Sequence, residues 1–210
     1  MKYDSNTDVL SNINLTLQQG SFHFLTGPSG SGKSTLLKLL FLGHFPSSGK
    51  MEIFGKNIDK LSKIELPIIR RKIGVVFQDF RLMEHLTVIE NVALPLQIAG
   101  AKNSDIKNHV SELISWVGLE NKTYLYPDTL SDGEKQISLI ARALIKKPEI
   151  LILDEPIANL DYKSKFFVVD KINELSKLNT KILCITHDIT TITKIYDRVI
   201  MLKDGKIIAD

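Results

Sequence analysis

The residues best suited to chemistry are nine consecutive ones, GPSGSGKST at 27–35. Glycines followed by a lysine and a hydroxyl residue, between a predicted strand and a predicted helix, match the pattern of a phosphate-binding loop. The glycines let the backbone wrap around phosphates at a helix N-terminus, while Lys33 would neutralise the β- and γ-phosphates and Ser34 would bind Mg²⁺. The predicted nucleotide-binding residues are Gly27, Pro28, Ser29, Gly30, Ser31, Gly32, Lys33, Ser34 and Thr35.

A second candidate stretch is ILILDEP at 150–156, in which two carboxylates follow an apolar run. Strand ends at one edge of a parallel sheet are where ligands bind, so Asp154 could reach a metal near Ser34. Glu155 is then placed to polarise a water for attack on the γ-phosphate. Without the phosphate-binding loop, the two acids would be read as simply ending a strand.

The elements that must position these residues alternate between strands and helices, which predicts an α/β fold with a mostly parallel sheet. Asp204-Gly205 predicts a hairpin turn and hence an antiparallel edge. The predicted strands are 21–26, 72–77, 149–153, 181–186, 198–203 and 206–209. The predicted helices of this core follow Gly32 and cover 60–70 and 163–178.

Between residues 78 and 148 the pattern changes to three successive helices, 87–99, 104–118 and 131–147, with no strand between them. This predicts a helical insert in an α/β core. We therefore expect a single domain over residues 1–210, with a core formed by 1–85 and 146–210 and a helical subdomain at about 86–145.

Composition limits the classes of protein to consider. The 210 residues are 43% hydrophobic and 24% charged, which is typical of one globular domain. The net charge is +3, and the basic residues occur in short groups. This pattern favours a solvated surface over a face that binds an anionic membrane or nucleic acid. Cys184 is the only cysteine, so no intrachain disulfide is possible and we expect a reducing compartment. We find neither a signal peptide nor an apolar run of roughly 18 residues.

Together these motifs resemble the ATPase subunits of ATP-binding-cassette (ABC) transporters over essentially the whole chain. The resemblance implies a P-loop NTPase core of RecA-like type, ATP and Mg²⁺ as cofactors, and a homodimer in the ATP-bound state. It adds Gln78 as the Q-loop residue and a metal ligand beside Ser34 and Asp154, and it makes Lys33, Gln78, Glu155 and His187 the catalytic set. Tyr3 takes the adenine-stacking position, although a lone tyrosine near a terminus is more often a surface residue and a lone histidine after a strand is more often structural.

The family signature, Leu-Ser-Gly-Gly-Gln, has its counterpart at residues 130–134, LSDGE. By resemblance, Ser131 and Gly133 contact the γ-phosphate held by the partner subunit. Asp132 replaces a glycine there and could repel the nucleotide, but Ser131 and Glu134 have the spacing of a capping box, which makes Asp132 a first-turn acid that the helix dipole favours. The core phosphate, metal and base residues are unchanged, so we expect ATP hydrolysis, slow until a partner closes the dimer.

The segment 70–102 resembles the bacterial cell-division ATPases of the FtsE type, whose integral membrane partner FtsX activates cell-wall hydrolases. This implies a peripheral position on the cytoplasmic side of the inner membrane, membrane contact only through the partner, and no nucleic acid. Apolar residues within it would either receive a helix of the partner or pack in the core: Phe80, Leu82, Met83 and Leu86. The alternatives are the ATPase of a lipoprotein-releasing or macrolide exporter and a soluble nucleotide-gated switch with weak hydrolysis.

Overall fold

A twisted sheet forms the centre of the computed structural model, which describes residues 9–18, 20–177, 180–187 and 196–209, without the side chains of Asp105 and Ser176. Its strands are β1 (Phe22–Thr26), β4 (Ile73–Val76), β5 (Ile150–Asp154), β6 (Lys181–Ile185), β7 (Arg198–Lys203) and β8 (Lys206–Ala209). The order across the sheet is β4-β5-β6-β1-β7-β8, and only the β7–β8 pair is antiparallel. The predicted α/β sheet with an antiparallel edge is confirmed.

Two short strands outside this sheet, β2 (Glu52–Ile53) and β3 (Lys56–Asn57), were not predicted. Each has two residues, too few to show an alternating pattern. Their turn also lacks the usual signal, because Phe54 stands at a positive φ of 51° before Gly55 at 73°. Turns with two positive φ angles are normally occupied by Asn, Asp or Gly.

Six α-helices are present in the described chain: α1 (Lys33–Leu40), α2 (Glu65–Arg70), α3 (Val88–Ile98), α4 (Asn103–Trp116), α5 (Asp132–Leu144) and α6 (Tyr162–Ser176). The prediction of a helix over 60–70 was wrong at its N-terminal end. Ser62 and Glu65 exchange hydrogen bonds through their side chains and backbone N–H groups at 3.0–3.2 Å, and the regular helix begins only at Glu65, after a turn at residues 63 and 64.

The main apolar cluster joins one side of the sheet to four helices, with fully buried members such as Phe24, Leu153, Ile137, Val110 and Ile172. These residues come from β1, β5, α5, α4 and α6 respectively. The helices at 88–144 therefore share one core with the sheet rather than burying a separate one. A second cluster covers the opposite side of the sheet with α1 and residues of the N-terminal segment.

The carboxyl ends of the parallel strands lie at one edge, and the loops that carry the candidate residues follow them. The loop before α1 follows β1, Gln78 follows β4, Glu155 follows β5 and His187 follows β6. The topology therefore brings together four segments that are far apart in the sequence.

Candidate functional site

A cleft of about 440 Å³ opens at this edge of the sheet. Twelve residues line it: Val9, Gly27, Ser29, Gly30, Gly32, Lys33, Ser34, Thr35, Gln78, Asp154, Glu155 and His187. Eleven of them are predicted site residues, and only Val9 carried no sequence signal. Pro28 and Ser31 belong to the same loop without lining the cleft, while Tyr3 lies outside the described residues.

The loop at 27–32 is shaped by glycines at positive φ, including Gly27 at 148° and Gly32 at 106°. A Cβ atom on Gly27 would lie 2.0 Å from the carbonyl oxygen of Leu202 in β7, so only glycine fits. The turn after β7 supports the loop from below, because the N–H of Gly205 donates to the carbonyl of Ser31 at 3.1 Å. The hairpin turn predicted at Asp204-Gly205 therefore also stabilises the conformation of the loop.

Lys33 reaches back over the loop, and its Nζ donates to the carbonyl oxygens of Gly27 at 2.7 Å and Pro28 at 3.0 Å. These contacts hold the ammonium group over the space that the loop encloses. The hydroxyl oxygen of Ser31, in the same loop, is buried without a hydrogen-bond partner in the described chain. A buried polar atom of this kind is normally satisfied by a ligand or water, so the loop is suited to a polar ligand such as a phosphate chain.

Asp154 and Glu155 stand side by side at the end of β5. Burial, and next the charge of Glu155, raise the pKa of the Asp154 carboxyl above its usual range, while Lys33 acts in the opposite direction. A bound cation would relieve the repulsion between two carboxylates. Mg²⁺ takes one or two carboxylates plus phosphate oxygens, and the exposed Ser34 hydroxyl and Gln78 line the same cleft, so these residues fit that ion.

Glu155 is held in a fixed orientation between β5 and β6. Its backbone lies in the left-handed region, with φ of 48°, and its N–H donates to the carbonyl of Ile185 at 2.8 Å. One carboxylate oxygen faces Nδ1 of His187 at 2.8 Å, and the other accepts from the hydroxyl of Thr186 at 3.1 Å. Backbone strain of this kind persists only where surrounding contacts enforce it, and it is typical of functional sites. Sequence reasoning missed Thr186, because a threonine ending a strand is unremarkable in sequence.

The signature residues lie away from this cleft, at the N-terminus of α5. Ser131 and Glu134 form the predicted capping box, with the Ser131 N–H donating to the Glu134 carboxylate at 2.8 Å and the Glu134 N–H donating to the Ser131 hydroxyl at 3.3 Å. Gly133 is buried, and a Cβ atom there would lie 2.7 Å from Ser164 in α6. Asp132 is exposed, 3.5 Å from Lys135 Nζ.

The apolar residues after Gln78 were predicted either to contact a helix of the partner or to pack in the core, and the structure contains both buried and exposed members. Leu82 is buried and Phe80 packs against the main core, whereas Met83 is 40% exposed. Asn91, fully buried in α3, fixes the segment: its amide accepts from the N–H of Met83 at 2.8 Å and donates to the carbonyl of Leu86 at 2.9 Å. This asparagine gave no signal in the sequence.

No helix in the described ranges is both long and apolar enough to cross a membrane.

Known proteins resemble the chain over nearly its whole length. The cell-division ATP-binding protein FtsE of Bacillus subtilis strain 168 is 38% identical over 208 residues, covering 99% of this chain and 91% of that protein. The methionine import ATP-binding protein MetN of Photobacterium profundum is 43% identical over 202 residues, covering 96% of this chain but 59% of its own.

Among solved structures, the dimeric post-hydrolysis state of the ATP-binding cassette MJ0796, bound to ADP and Pi, superposes with a TM-score of 0.86 and 34% identity. The superposition covers 98% of this chain and 92% of the MJ0796 chain. The sequence profile of the ABC transporter family matches residues 10–158. The chain therefore belongs to the ABC transporter family, as one of its ATP-hydrolysing subunits.

Proposed function

We propose that this chain is the ATPase of a cell-division complex of the FtsE–FtsX type, in which ATP-driven closure of a homodimer acts on an integral membrane protein and, through it, on cell-wall hydrolases. The proposal rests on the cleft that gathers the phosphate-binding loop, Asp154, Glu155 and His187 in one place. The similarity to FtsE selects the type of complex. The chain would lie on the cytoplasmic side of the inner membrane, held there by its partner and not binding nucleic acid.

In this proposal the loop at 27–35 binds the ATP phosphates through its backbone N–H groups and the N-terminus of α1. Lys33 exchanges its contacts with the loop carbonyls for the β- and γ-phosphates. Ser34, Gln78 and Asp154 would hold Mg²⁺, which supplies charge neutralisation on the phosphate oxygens. Tyr3 would stack on the adenine.

Hydrolysis then requires a water aligned with the γ-phosphate. Glu155 accepts a proton from that water as its oxygen attacks the γ-phosphorus, and the bond to the β–γ bridging oxygen breaks, which releases ADP and phosphate. Thr186 and His187 hold the Glu155 carboxylate in place for this step. The contact to Glu155 uses Nδ1 of His187, so Nε2 is the nitrogen left to face the γ-phosphate.

The signature must come from a second subunit, since Ser131 and Gly133 lie outside the cleft of their own chain. The dimeric MJ0796 cassette supports this arrangement. We expect Glu155→Gln to bind ATP without turnover and to accumulate as a dimer, because the amide cannot accept the proton of the attacking water. Light scattering after size exclusion, with and without ATP, measures this. The control is Glu112→Gln, an exposed position on α4; a Glu155→Gln chain that stays monomeric with ATP contradicts the role given to Glu155.

The partner is tested separately. The tagged chain is extracted gently from the membranes of its own cells, and the co-purifying membrane protein is identified by mass. An FtsX-like protein, with four spans and a large outer loop, supports the division role. A lipoprotein-release or export permease assigns the chain to export, and the absence of any membrane protein favours the soluble switch.

The similarity to MetN adds one further candidate, the ATPase of an import complex. This importer role is weaker than the division role, because the chain spans 91% of FtsE but only 59% of MetN. The same co-purification distinguishes them, since an importer would be recovered with an import permease.

A further inference from the structure

Arg81 follows Gln78 in the loop after β4 and does not line the nucleotide cleft, yet it contacts the chain on both sides of that glutamine. The centre of its guanidinium group lies 4.3 Å from the centroid of the ring of Phe77, the residue before Gln78. One guanidinium nitrogen lies 3.5 Å from a carboxylate oxygen of Asp79, the residue after Gln78. A single side chain therefore joins the two neighbours of a proposed metal ligand.

Phe77 gives this contact a fixed base. Its ring packs against the second apolar cluster and meets the ring of Phe41 edge-on, with centroids 5.6 Å apart and ring planes at 90°. Phe41 is the C-cap of α1, the helix that begins at the phosphate-binding loop. Through Phe77, Arg81 therefore connects the loop after β4 to the helix whose N-terminus would bind the phosphates.

Gln78 itself has few restraints. It is exposed, and its side chain makes no hydrogen bond in the part of the chain that the structure describes. A side chain that binds a metal must be held within about 0.5 Å of its productive position by the groups around it. The contacts of Arg81 with Phe77 and Asp79 restrain the chain on both sides of Gln78, so they can supply part of that precision.

Asp79 adds an electrostatic reason for the contact with Arg81. Burial first, then the charge of Glu155, and more weakly that of Asp79 raise the pKa of the Asp154 carboxyl. Asp79 therefore lies close enough to act on the proposed metal site, and it pairs with no other cation among the described residues. Arg81 offsets the charge of this third acid.

Both contacts of Arg81 are open to solvent, with 56% of its side chain and 80% of the Asp79 side chain exposed. Exposed ion pairs and exposed cation–π contacts contribute little to stability, so the fold does not depend on them, although they can bias the position of a loop. We propose that Arg81 is a positioning residue for ATP hydrolysis, which holds Gln78 at the cleft through the residues on either side of it. This inference rests on the metal-binding role proposed for Gln78.

Nucleotide binding with and without Mg²⁺ tests the inference independently of turnover. Titration calorimetry with a non-hydrolysable ATP analogue gives the gain in affinity that Mg²⁺ supplies. We expect Arg81→Ala to reduce this gain by about tenfold, the lower end of the range for groups that orient a metal ligand, and to leave the affinity without Mg²⁺ unchanged. The control is Arg71→Ala, the same change at an exposed position outside the nucleotide cleft. An Arg81→Ala chain that keeps the full gain overturns the proposal.

A double-mutant cycle determines whether Arg81 acts through Gln78. In a Gln78→Ala chain, Arg81→Ala should have no further effect on the gain in affinity from Mg²⁺, because the group that Arg81 positions is already absent. Urea denaturation should give Arg81→Ala the same free energy of unfolding as the unmodified chain. Losses of Mg²⁺-dependent affinity that add in the double variant would show that Arg81 acts independently of Gln78, which contradicts the proposal.

The single variant Gln78→Ala separates this inference from the proposed function. If Gln78→Ala leaves the gain in affinity from Mg²⁺ unchanged, the metal-binding role of Gln78 fails, and the inference about Arg81 fails with it. If Gln78→Ala reduces the gain and Arg81→Ala does not, only the inference about Arg81 fails.

Discussion

The N-termini of α1 and α5 differ in how they satisfy the same physical requirement. Every helix begins with four N–H groups that have no partner within the helix. Those of α5 are served by its own sequence, through the Ser131 and Glu134 capping box and two first-turn acids. Those of α1 follow Gly32, which has no side chain to cap them, and its first turn contains no acid. The capping box satisfies two of the four N–H groups of α5, whereas no side chain caps those of α1, which are therefore suited to binding a phosphate.

The comparison also restricts how α5 could serve as a signature. The hydroxyl of Ser131 already donates to the Glu134 carboxylate at 3.0 Å and accepts from the Glu134 N–H at 3.3 Å. A γ-phosphate from a second subunit would have to compete with that carboxylate. Closure of the proposed dimer therefore includes a local exchange of hydrogen bonds at Ser131, whereas ATP binding at α1 meets no competing acid in its first turn.

The largest expected effect follows from removing the cation that serves α1. We expect Lys33→Ala to weaken ATP binding by about 100-fold, which corresponds to about 3 kcal/mol, the upper range for a hydrogen bond to a charged group. Titration calorimetry with ATP measures the change, and Lys63→Ala, at an exposed position outside the cleft, is the control. Unchanged affinity would remove the phosphate-binding role from this loop.

A second effect concerns the packing of α5 on α6. Gly133→Ala places a Cβ atom 2.7 Å from Ser164, and we expect it to lower the free energy of unfolding by about 1–3 kcal/mol. Urea denaturation measures this. In a double-mutant cycle, Ser164→Gly should recover part of the loss, because it removes the side-chain atoms that the added methyl group would meet. Purely additive losses would show that the contact does not limit this position.

The capping box predicts a smaller loss. Ser131→Ala should lower the free energy of unfolding by about 0.5–2 kcal/mol in the absence of nucleotide, since the Glu134 N–H loses its acceptor. Ser29→Ala, in the exposed loop before α1, should change it by less than about 0.5 kcal/mol, because no side chain caps that helix. If both variants lost the same free energy of unfolding in urea denaturation, the proposed difference between the two helix N-termini would be wrong.

The smallest effect is expected at Asp132. Lys135 lies 3.5 Å from this exposed carboxylate and offsets its charge, so we expect Asp132→Gly to change the ATPase rate by less than about fivefold. Phosphate release at saturating ATP measures the rate, and Asp128→Gly, in the short 3₁₀ helix before the signature, controls for a glycine introduced nearby. A far larger gain in rate would identify the native chain as a weakened, nucleotide-gated switch.

Much of this molecule follows from local patterns in the sequence. The apolar runs of the sheet strands, the helices at 88–144 and the Asp204-Gly205 turn depend on periodicity and turn chemistry within a few residues, and each was predicted to within a few positions. The elements that were not predicted also have local causes. A strand of two residues is too short to show an alternating pattern, and Phe54 at a positive φ is not a residue type that indicates a turn. The start of α2 was misplaced because the Ser62 and Glu65 exchange interrupts an otherwise helical pattern.

The sequence by itself determined the phosphate-binding loop, the paired carboxylates and the capped signature helix, because each depends on residues that are neighbours along the chain. Only the tertiary structure decided that Thr186 and His187 hold Glu155 and that Asn91 fixes the segment after Gln78. The physical reason is that parallel strands place distant segments side by side, and no short-range pattern records which strands are adjacent.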